Sequence, residues 1–216
     1  MNDSGFTPAA GRFAPSSVYD LGVAVLTREE IWRAKLIEIL DISPGDRVLD
    51  VGCGTGTLAI SLKLRHPGIK IVGLDPDPAS LSIAQAKAEA AGVEVEWRQG
   101  YASDAGKLGT FDKVVSSLVF HQVPVSEKRS GIEAMFAATK VGGTVFIADY
   151  ARQGRPLMRT AFRIIQLLDG KADTQPNADG FLEAELERYA GKPVTALFAI
   201  DTPTGTISIF REEKIK

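Results

Sequence analysis

Cysteine is nearly absent. Cys53 stands alone in 216 residues, so no internal disulfide can form and no CxxC metal pair exists. Charge of one sign is not in excess either. Twenty-five basic residues face 27 acidic ones for a net charge of −2, a balance that does not call for a nucleic-acid partner. No apolar run approaches the roughly 20 residues of a membrane span. The first residues, MNDSGFTPAAGRFAPSS, lack the charged start and apolar centre of a secretory signal. Internal repeats and low-complexity tracts are missing. The expectation is a cytoplasmic protein with no membrane span and no nucleic-acid partner; its oligomeric state is not written in these features. What is present is a globular mixture, 44% hydrophobic and 24% charged, which excludes wholesale disorder and a coiled coil and at this length suits one domain. Glycine is the surplus, 21 of 216 residues where about 7% is usual, so the placement of the glycines carries information.

Residues 1–26 read as an N-terminal arm, with Phe6, Phe13 and Tyr19 as anchors among Gly, Pro and small residues. Residues 27–216 read as the domain, with its ligand-binding core over 45–150. Thr27 and Glu30 match a capping box, and Ile31, Ala34, Leu36, Ile37 and Leu40 mark the apolar face of a helix. Strands and helices then alternate: strand 47–51, helix 57–65 with His66 at its end, strand 69–74, helix 79–91 closed by Gly92, strand 93–98, strand 111–117, helix 126–139 and strand 144–150. Such alternation requires parallel crossovers. The last third departs from it, with a helix over 156–168, a polar and mobile turn-rich stretch over 170–180, and a helix over 181–189. Strands 194–201 and 206–211 follow, joined by a link short enough only for an antiparallel hairpin. The expected fold is α/β: a Rossmann-like doubly wound sheet of seven strands, five parallel plus a C-terminal antiparallel hairpin.

Three glycines cluster in Asp50-Val51-Gly52-Cys53-Gly54-Thr55-Gly56, at the first strand-to-helix turn. Glycine there lets the backbone turn sharply and lets a ligand approach without a Cβ in the way, and open α/β sheets bind ligands beyond the carboxyl ends of their strands. The spacing is GxGxG with Thr57 next, so the third glycine of the dinucleotide fingerprint is missing. No GK[ST] follows, which excludes a P-loop. Asp50 precedes the loop, and an anionic side chain there suits a positively charged ligand better than a pyrophosphate. S-adenosylmethionine, with an ammonium and a sulfonium and no phosphate, meets that demand. Asp75 ends the second strand, where an acidic residue accepts from ribose hydroxyls; Asp77 reads as a charge at a helix start.

The stretches VLDVGCGTG, GLDPDPASLSIAQAKA, FDKVVSSLVFHQVP and GGTVFIADY together resemble the class I S-adenosylmethionine-dependent methyltransferases, within them the ubiquinone/menaquinone-methyltransferase-like small-molecule branch. The likeness runs from about Tyr19 to Tyr150; beyond it only the final hairpin fits. The resemblance implies that Gly52, Gly54 and Gly56, with Cys53 between them, line the methionine and ribose portion of the cofactor. It places Asp75 on the ribose and Pro76 against adenine. Where such proteins often read GDA this chain reads Gly100-Tyr101-Ala102. Tyr101 thus stands in for the aspartate, Ala102 keeps a backbone N–H for adenine, and Ser103 or Asp104 is left as a substitute acceptor. Ser116 and Ser117 fall where the backbone meets the methionine amino group. Tyr19-Asp20 and Trp32-Arg33 resemble the arm that closes over the cofactor, with Arg33 facing the methionine carboxylate or else a solvated helix arginine.

The acceptor implied is a small molecule, the product S-adenosylhomocysteine, and no metal is called for. Because the methyl group arrives activated, the protein's task is to hold the nucleophile in line and exclude water. His121 follows the fourth strand and borders the acceptor pocket of the resembled family. It reads either as a base or acceptor-orienting group or as a loop histidine bonded to backbone. Phe13, Tyr19, Phe120, Tyr150 and Phe162 are candidates for an apolar acceptor pocket, Phe120 and Phe162 being better read as core. Cys53 has no base beside it in the sequence and reads as a small buried residue. The competing functions are an NAD(P)-dependent oxidoreductase and a catalytically inactive S-adenosylmethionine-binding protein.

Overall fold

The computed structural model describes residues 28–215. The arm 1–26, with Phe6, Phe13 and Tyr19, and Thr27 of the expected capping box lie outside the described residues. Helix α1 (Glu29–Ile39) leads to β1 (Arg47–Val51), α2 (Thr57–Arg65), β2 (Lys70–Asp75), α3 (Pro78–Ala90) and β3 (Glu96–Gln99). A 3-10 segment, Ala102–Leu108, precedes β4 (Phe111–Ser117). Then come α4 (Val125–Ala138) and β5 (Thr139–Tyr150). Four helices follow: α5 (Pro156–Ala161), α6 (Arg163–Asp169), α7 (Lys171–Asp179) and α8 (Phe181–Ala190). The hairpin β6 (Phe198–Thr202) and β7 (Gly205–Glu213) ends the chain.

The seven strands form one sheet in the order β3-β2-β1-β4-β5-β7-β6. The first five are parallel and β7 runs antiparallel to both β5 and β6, as the sequence pattern required. Alternate residues of the buried strands feed two cores. Val48, Val115, Phe146 and Tyr150 pack with Trp32, Leu36, Leu58 and Leu62 on one face. Leu49, Val51, Val114 and Ile147 pack with Ile132, Met135 and Leu186 on the other. The chain walks outward from β1 to β3 and then crosses back to β4. The carboxyl ends of β1 and β4, paired at Val51 and Ser116, are therefore the topological switch point where this architecture leaves a crevice.

Three expectations are corrected. The buried face of α1 runs through Trp32, Leu36 and Ile37 and on to Leu40, so Leu36, Ile37 and Leu40 lie inside as expected, while Ile31 is 53% exposed, Ala34 is exposed and Trp32 takes the inward place in the first turn. The single helix expected over 156–168 is broken at Phe162, a residue 1% exposed that joins α5 to α6. The stretch expected to be a mobile turn is helix α7. Its polar side chains satisfy tertiary demands invisible in the sequence: the Asn177 amide donates to the Tyr150 carbonyl at 2.8 Å, and the Ala178 carbonyl accepts from Gln153 N–H.

Candidate active site

The glycine loop turns off the end of β1 with Gly52, Gly54 and Gly56 all at positive φ. The three do different things. A Cβ at Gly52 would fall 2.2 Å from Val119 Cγ2, and one at Gly56 would fall 2.6 Å from the Trp97 indole and 2.9 Å from Ala84. Those two positions are closed by packing. At Gly54 no atom of the described residues lies within 4 Å of where a Cβ would fall. Its N–H donates to Asp75 Oδ2 at 2.8 Å, while Gly52 and Cys53 N–H both donate to the Leu74 carbonyl. Cys53 is buried between these elements, and burial raises its thiol pKa, with Asp50 and Asp75 adding to the rise. It stays a thiol, the inert role expected of it.

Asp75 holds two backbone N–H groups, Gly54 on Oδ2 and Asp77 on Oδ1 at 2.9 Å, so it locks the glycine loop to the β2 turn. A carboxylate has room for about four hydrogen bonds, which leaves lone pairs for hydroxyl groups. Asp77 is the N-cap of α3, accepting from Ala79 N–H and the Ser80 hydroxyl. Pro76 is half-buried with its carbonyl accepting from the Gln99 amide. Tyr101 is 45% exposed and its N–H donates to Asp104 Oδ2. Asp104 is also bonded to Lys107, which with that N–H holds its carboxyl below the usual range. Asp104 is thus already committed to its own turn. Ala102 opens that turn.

Asp50 is 1% exposed, and among the described residues neither of its carboxylate oxygens has a hydrogen-bond partner of full geometry, although the Ala59 N–H at the start of α2 helps to favour its charged form. Burial pushes its carboxyl up to about 7, against the pull of the nearby Arg33 guanidinium. Arg33 pairs with Glu29 and is 18% exposed at its side chain, so it is not a solvated arginine. Its Nε is buried without a partner among the described residues. An orphaned anionic acceptor and an orphaned cationic donor at one site cost folding free energy unless a ligand satisfies them. The pair fits the ammonium and carboxylate of an amino-acid end group. With the open approach at Gly54 and the hydroxyl-accepting capacity of Asp75, these residues fit an amino acid joined to a ribose, which is S-adenosylmethionine. Ser116 and Ser117 end β4 beside β1. The Ser116 side chain follows the parity of Val114 to the opposite face from Asp50, its Oγ buried and unpartnered, so only its backbone lies at the crevice.

The loop after β4 is held by a residue the sequence analysis did not select. Asp149, near the end of β5, accepts from Val119 and Phe120 N–H through Oδ2, at 3.1 and 2.7 Å. Its Oδ1 accepts from Tyr150 N–H and lies 2.7 Å from His121 Nδ1. Leu118, at the head of this loop, takes a positive φ of 56°. The other ring nitrogen of His121, Nε2, lies 3.4 Å from Asp169 Oδ2, and the ring meets Tyr150 edge-on at 5.1 Å. Burial disfavours the charged ring, but the two carboxylates outweigh it and raise its pKa to about 9. Both ring nitrogens of His121 face carboxylates, an arrangement that favours the protonated ring. Lys128, fully buried, donates Nζ to the Phe120 carbonyl. Burial lowers its pKa to about 8, with Asp149 and Asp173 opposing. Of the expected acceptor-pocket residues, Phe120, Tyr150 and Phe162 are all within the cores, and the Tyr150 hydroxyl bonds Thr204 Oγ1 at 2.6 Å. Among the described residues no group of three or more His, Cys, Asp or Glu could hold a metal ion, and no helix is long and apolar enough to cross a membrane.

Comparison with known proteins agrees with this geometry. Residues 48–143, which contain the glycine loop, Asp75, the β4 end and His121, match a methyltransferase domain. The chain is 31% identical over 212 residues to a demethylmenaquinone methyltransferase of Bacillus cereus, covering 83% of this chain and 87% of that one. It is 37% identical over 101 residues to a ribosomal RNA small subunit methyltransferase C of Stutzerimonas stutzeri, covering 47% of this chain but spanning only 30% of that protein. The magnesium protoporphyrin IX methyltransferase of Synechocystis PCC 6803, solved with bound SAH, superposes with a TM-score of 0.66 at 20% identity, covering 93% of this chain and 89% of that one. The chain belongs to the class I S-adenosylmethionine-dependent methyltransferases, whose cofactor is S-adenosylmethionine. Nothing in the comparisons favours an oxidoreductase.

Proposed function

We propose that this chain transfers the methyl group of S-adenosylmethionine to a small-molecule acceptor in the cytoplasm. The observation that carries the reading is the pair of half-buried Arg33 and buried Asp50, whose side chains present Nε and both carboxylate oxygens without hydrogen-bond partners among the described residues. In this reading Asp50 takes the cofactor's ammonium and Arg33 its carboxylate. Gly52, Cys53, Gly54 and Gly56 form the loop beneath, with Gly54 as the point of closest approach. Asp75 accepts from the ribose, Pro76, Tyr101 and Ala102 border the adenine, and the backbone of Ser116 and Ser117 closes the methionine side. Residues 1–26, with Tyr19, act as a lid over residues 27–216. The small-molecule acceptor is supported by a relative that this chain spans over 87% of its length, a demethylmenaquinone methyltransferase; the match to the ribosomal RNA enzyme spans less than a third of that protein.

The cofactor supplies a methyl group already activated by its sulfonium, with a neutral thioether as leaving group. What remains for the chain is to exclude water and to hold the acceptor in line. His121 serves as a fixed imidazolium. It tethers the β4 loop to Asp149 and to α6 through Asp169, and so orders the wall against which the acceptor rests. A protonated His121 and a Cys53 held as a thiol suit an acceptor that is already nucleophilic, for which positioning carries the rate.

Calorimetry on the full chain with S-adenosylmethionine, S-adenosylhomocysteine and NADH tests the reading. The first two are expected to bind and NADH is not. Binding of NADH alone overturns it.

A further inference from the structure

An open cavity of about 830 Å³ is lined by α5, α6, α7 and the turn after β5. It is within the size range of small-molecule sites, roughly 300–1,000 Å³. None of the glycine loop, Asp75, Ser116 or His121 lines it. Phe162, 1% exposed, lines its floor and packs on Tyr150 at 5.1 Å. Tyr150 in turn meets His121 at 5.1 Å, so two buried rings separate this cavity from the candidate active site.

Its lining is cationic in a chain whose net charge is −2. Arg152, Arg159, Arg163 and Lys171 face it, against the single carboxylate of Asp179. Asp179 is already used: it pairs with Arg159 and accepts from the Gln175 amide. Arg152, Arg163 and Lys171 form no ion pair among the described residues. Arg152 is also placed by its surroundings. Its N–H donates to Glu183 Oε1 at 3.0 Å, and its guanidinium lies across Gly180, where a Cβ would fall 2.6 Å from Nη2. Gly180 has a φ of +102°, so both its backbone and its missing side chain make room for that guanidinium. Three uncompensated cations around one concavity focus a positive potential, and guanidinium forks match phosphoryl and carboxylate oxygens bidentately.

We propose that this cavity is a second binding site, for a small molecule bearing two or more negative charges as phosphoryl or carboxylate groups. The site is independent of methyl transfer and stands whether or not the crevice at Asp50 takes S-adenosylmethionine.

The test is calorimetry of the full chain with pyrophosphate and with citrate, ionic strength held constant with sodium chloride. Saturable one-to-one binding of either probe is expected, and the tighter of the two tells whether the site prefers phosphoryl or carboxylate groups. Replacing Arg163→Gln together with Lys171→Gln removes two exposed cations and is expected to weaken that binding by about tenfold or more, with S-adenosylhomocysteine binding unchanged. Should the double variant melt early, Arg163→Glu alone makes the same test. Absence of saturable binding for both probes, or undiminished binding in the folded variant, overturns the proposal.

Discussion

Half-buried Arg33 and buried Asp50 are neighbours of opposite charge that form no ion pair with each other. The guanidinium lowers the carboxyl's pKa through space, yet no ion pair or hydrogen bond joins them, and each keeps orphaned polar atoms. A pair selected for stability alone would close that gap. The proposed zwitterionic end group would supply the partners these atoms lack.

The first prediction follows from the sign of the Asp50 shift. Its carboxyl is raised from 3.8 to about 7, so its contribution to stability is full below pH 4 and is lost as pH rises through about 7. Asp50→Asn removes the buried charge. The ligand-free variant is expected to melt several degrees above the parent at pH 8, at about 2–4 °C per kcal/mol for a chain of this size, with the gap closing as the pH falls to 4. The cofactor's ammonium needs the ionised form, so S-adenosylhomocysteine affinity in the parent is expected to rise from pH 6 to pH 8. Melting curves and titrations across that range check both halves; an Asn variant that is less stable at pH 8 contradicts the assignment.

The glycines separate packing from binding. Gly56→Ala drives a methyl into Trp97 and Ala84 and is expected to lower stability by about 1–3 kcal/mol. Gly54→Ala meets no protein atom and costs only backbone strain, on the order of 1 kcal/mol. Its larger effect is expected on ligand affinity, because the methyl occupies the open approach. Denaturant melts paired with titrations distinguish the two. Equal losses of affinity per unit of stability lost would remove the distinction.

Asp75→Ala is expected to weaken cofactor binding roughly 10- to 150-fold, the worth of a charged hydrogen bond of about 1.5–3 kcal/mol. It also frees the Gly54 and Asp77 N–H groups, so the melting temperature falls too. Calorimetry on the folded variant measures the first effect, and an unchanged dissociation constant would leave Asp75 a loop-fixing residue only.

Much of the core was legible because buried parallel strands and capped helices announce themselves. Arg47–Val51, Thr57–Arg65 and Phe111–Ser117 have the expected bounds. Asp50, Asp75 and the glycines were visible because their residue types are unusual at strand ends. The His121 environment was not. Asp149 ends a strand as Asp50 and Asp75 do, in IleAlaAspTyr, and that signal was available. Lys128 reads as a solvated helix position, and Asp169 reaches His121 only through the break at Phe162. Both follow from tertiary packing that spacing does not encode, as does the order of α7.

His121 carries a prediction opposite in pH sense to a catalytic base. Its pKa is raised from 6.5 to about 9, so its contribution to stability is full below 6.5 and is lost as pH rises through about 9. His121→Ala leaves Asp149 and Asp169 without their cation and is expected to destabilise the fold by about 3–5 kcal/mol, the cost of breaking a buried pair. Urea melts at pH 6, 8 and 10 are expected to show that cost shrinking toward pH 10. A variant as stable as the parent at pH 6 would show that the imidazolium does not hold the loop.

The most direct measurement is a comparison of two ligands on two proteins. S-adenosylhomocysteine and 5′-methylthioadenosine share the nucleoside and thioether, and only the first has the amino-acid end. Calorimetry of both ligands on the parent and on Arg33→Gln is expected to show S-adenosylhomocysteine binding weakened by about tenfold or more while 5′-methylthioadenosine binding is unchanged. Equal weakening of both, or no weakening of either, would contradict the placement of the cofactor's amino-acid end between Arg33 and Asp50.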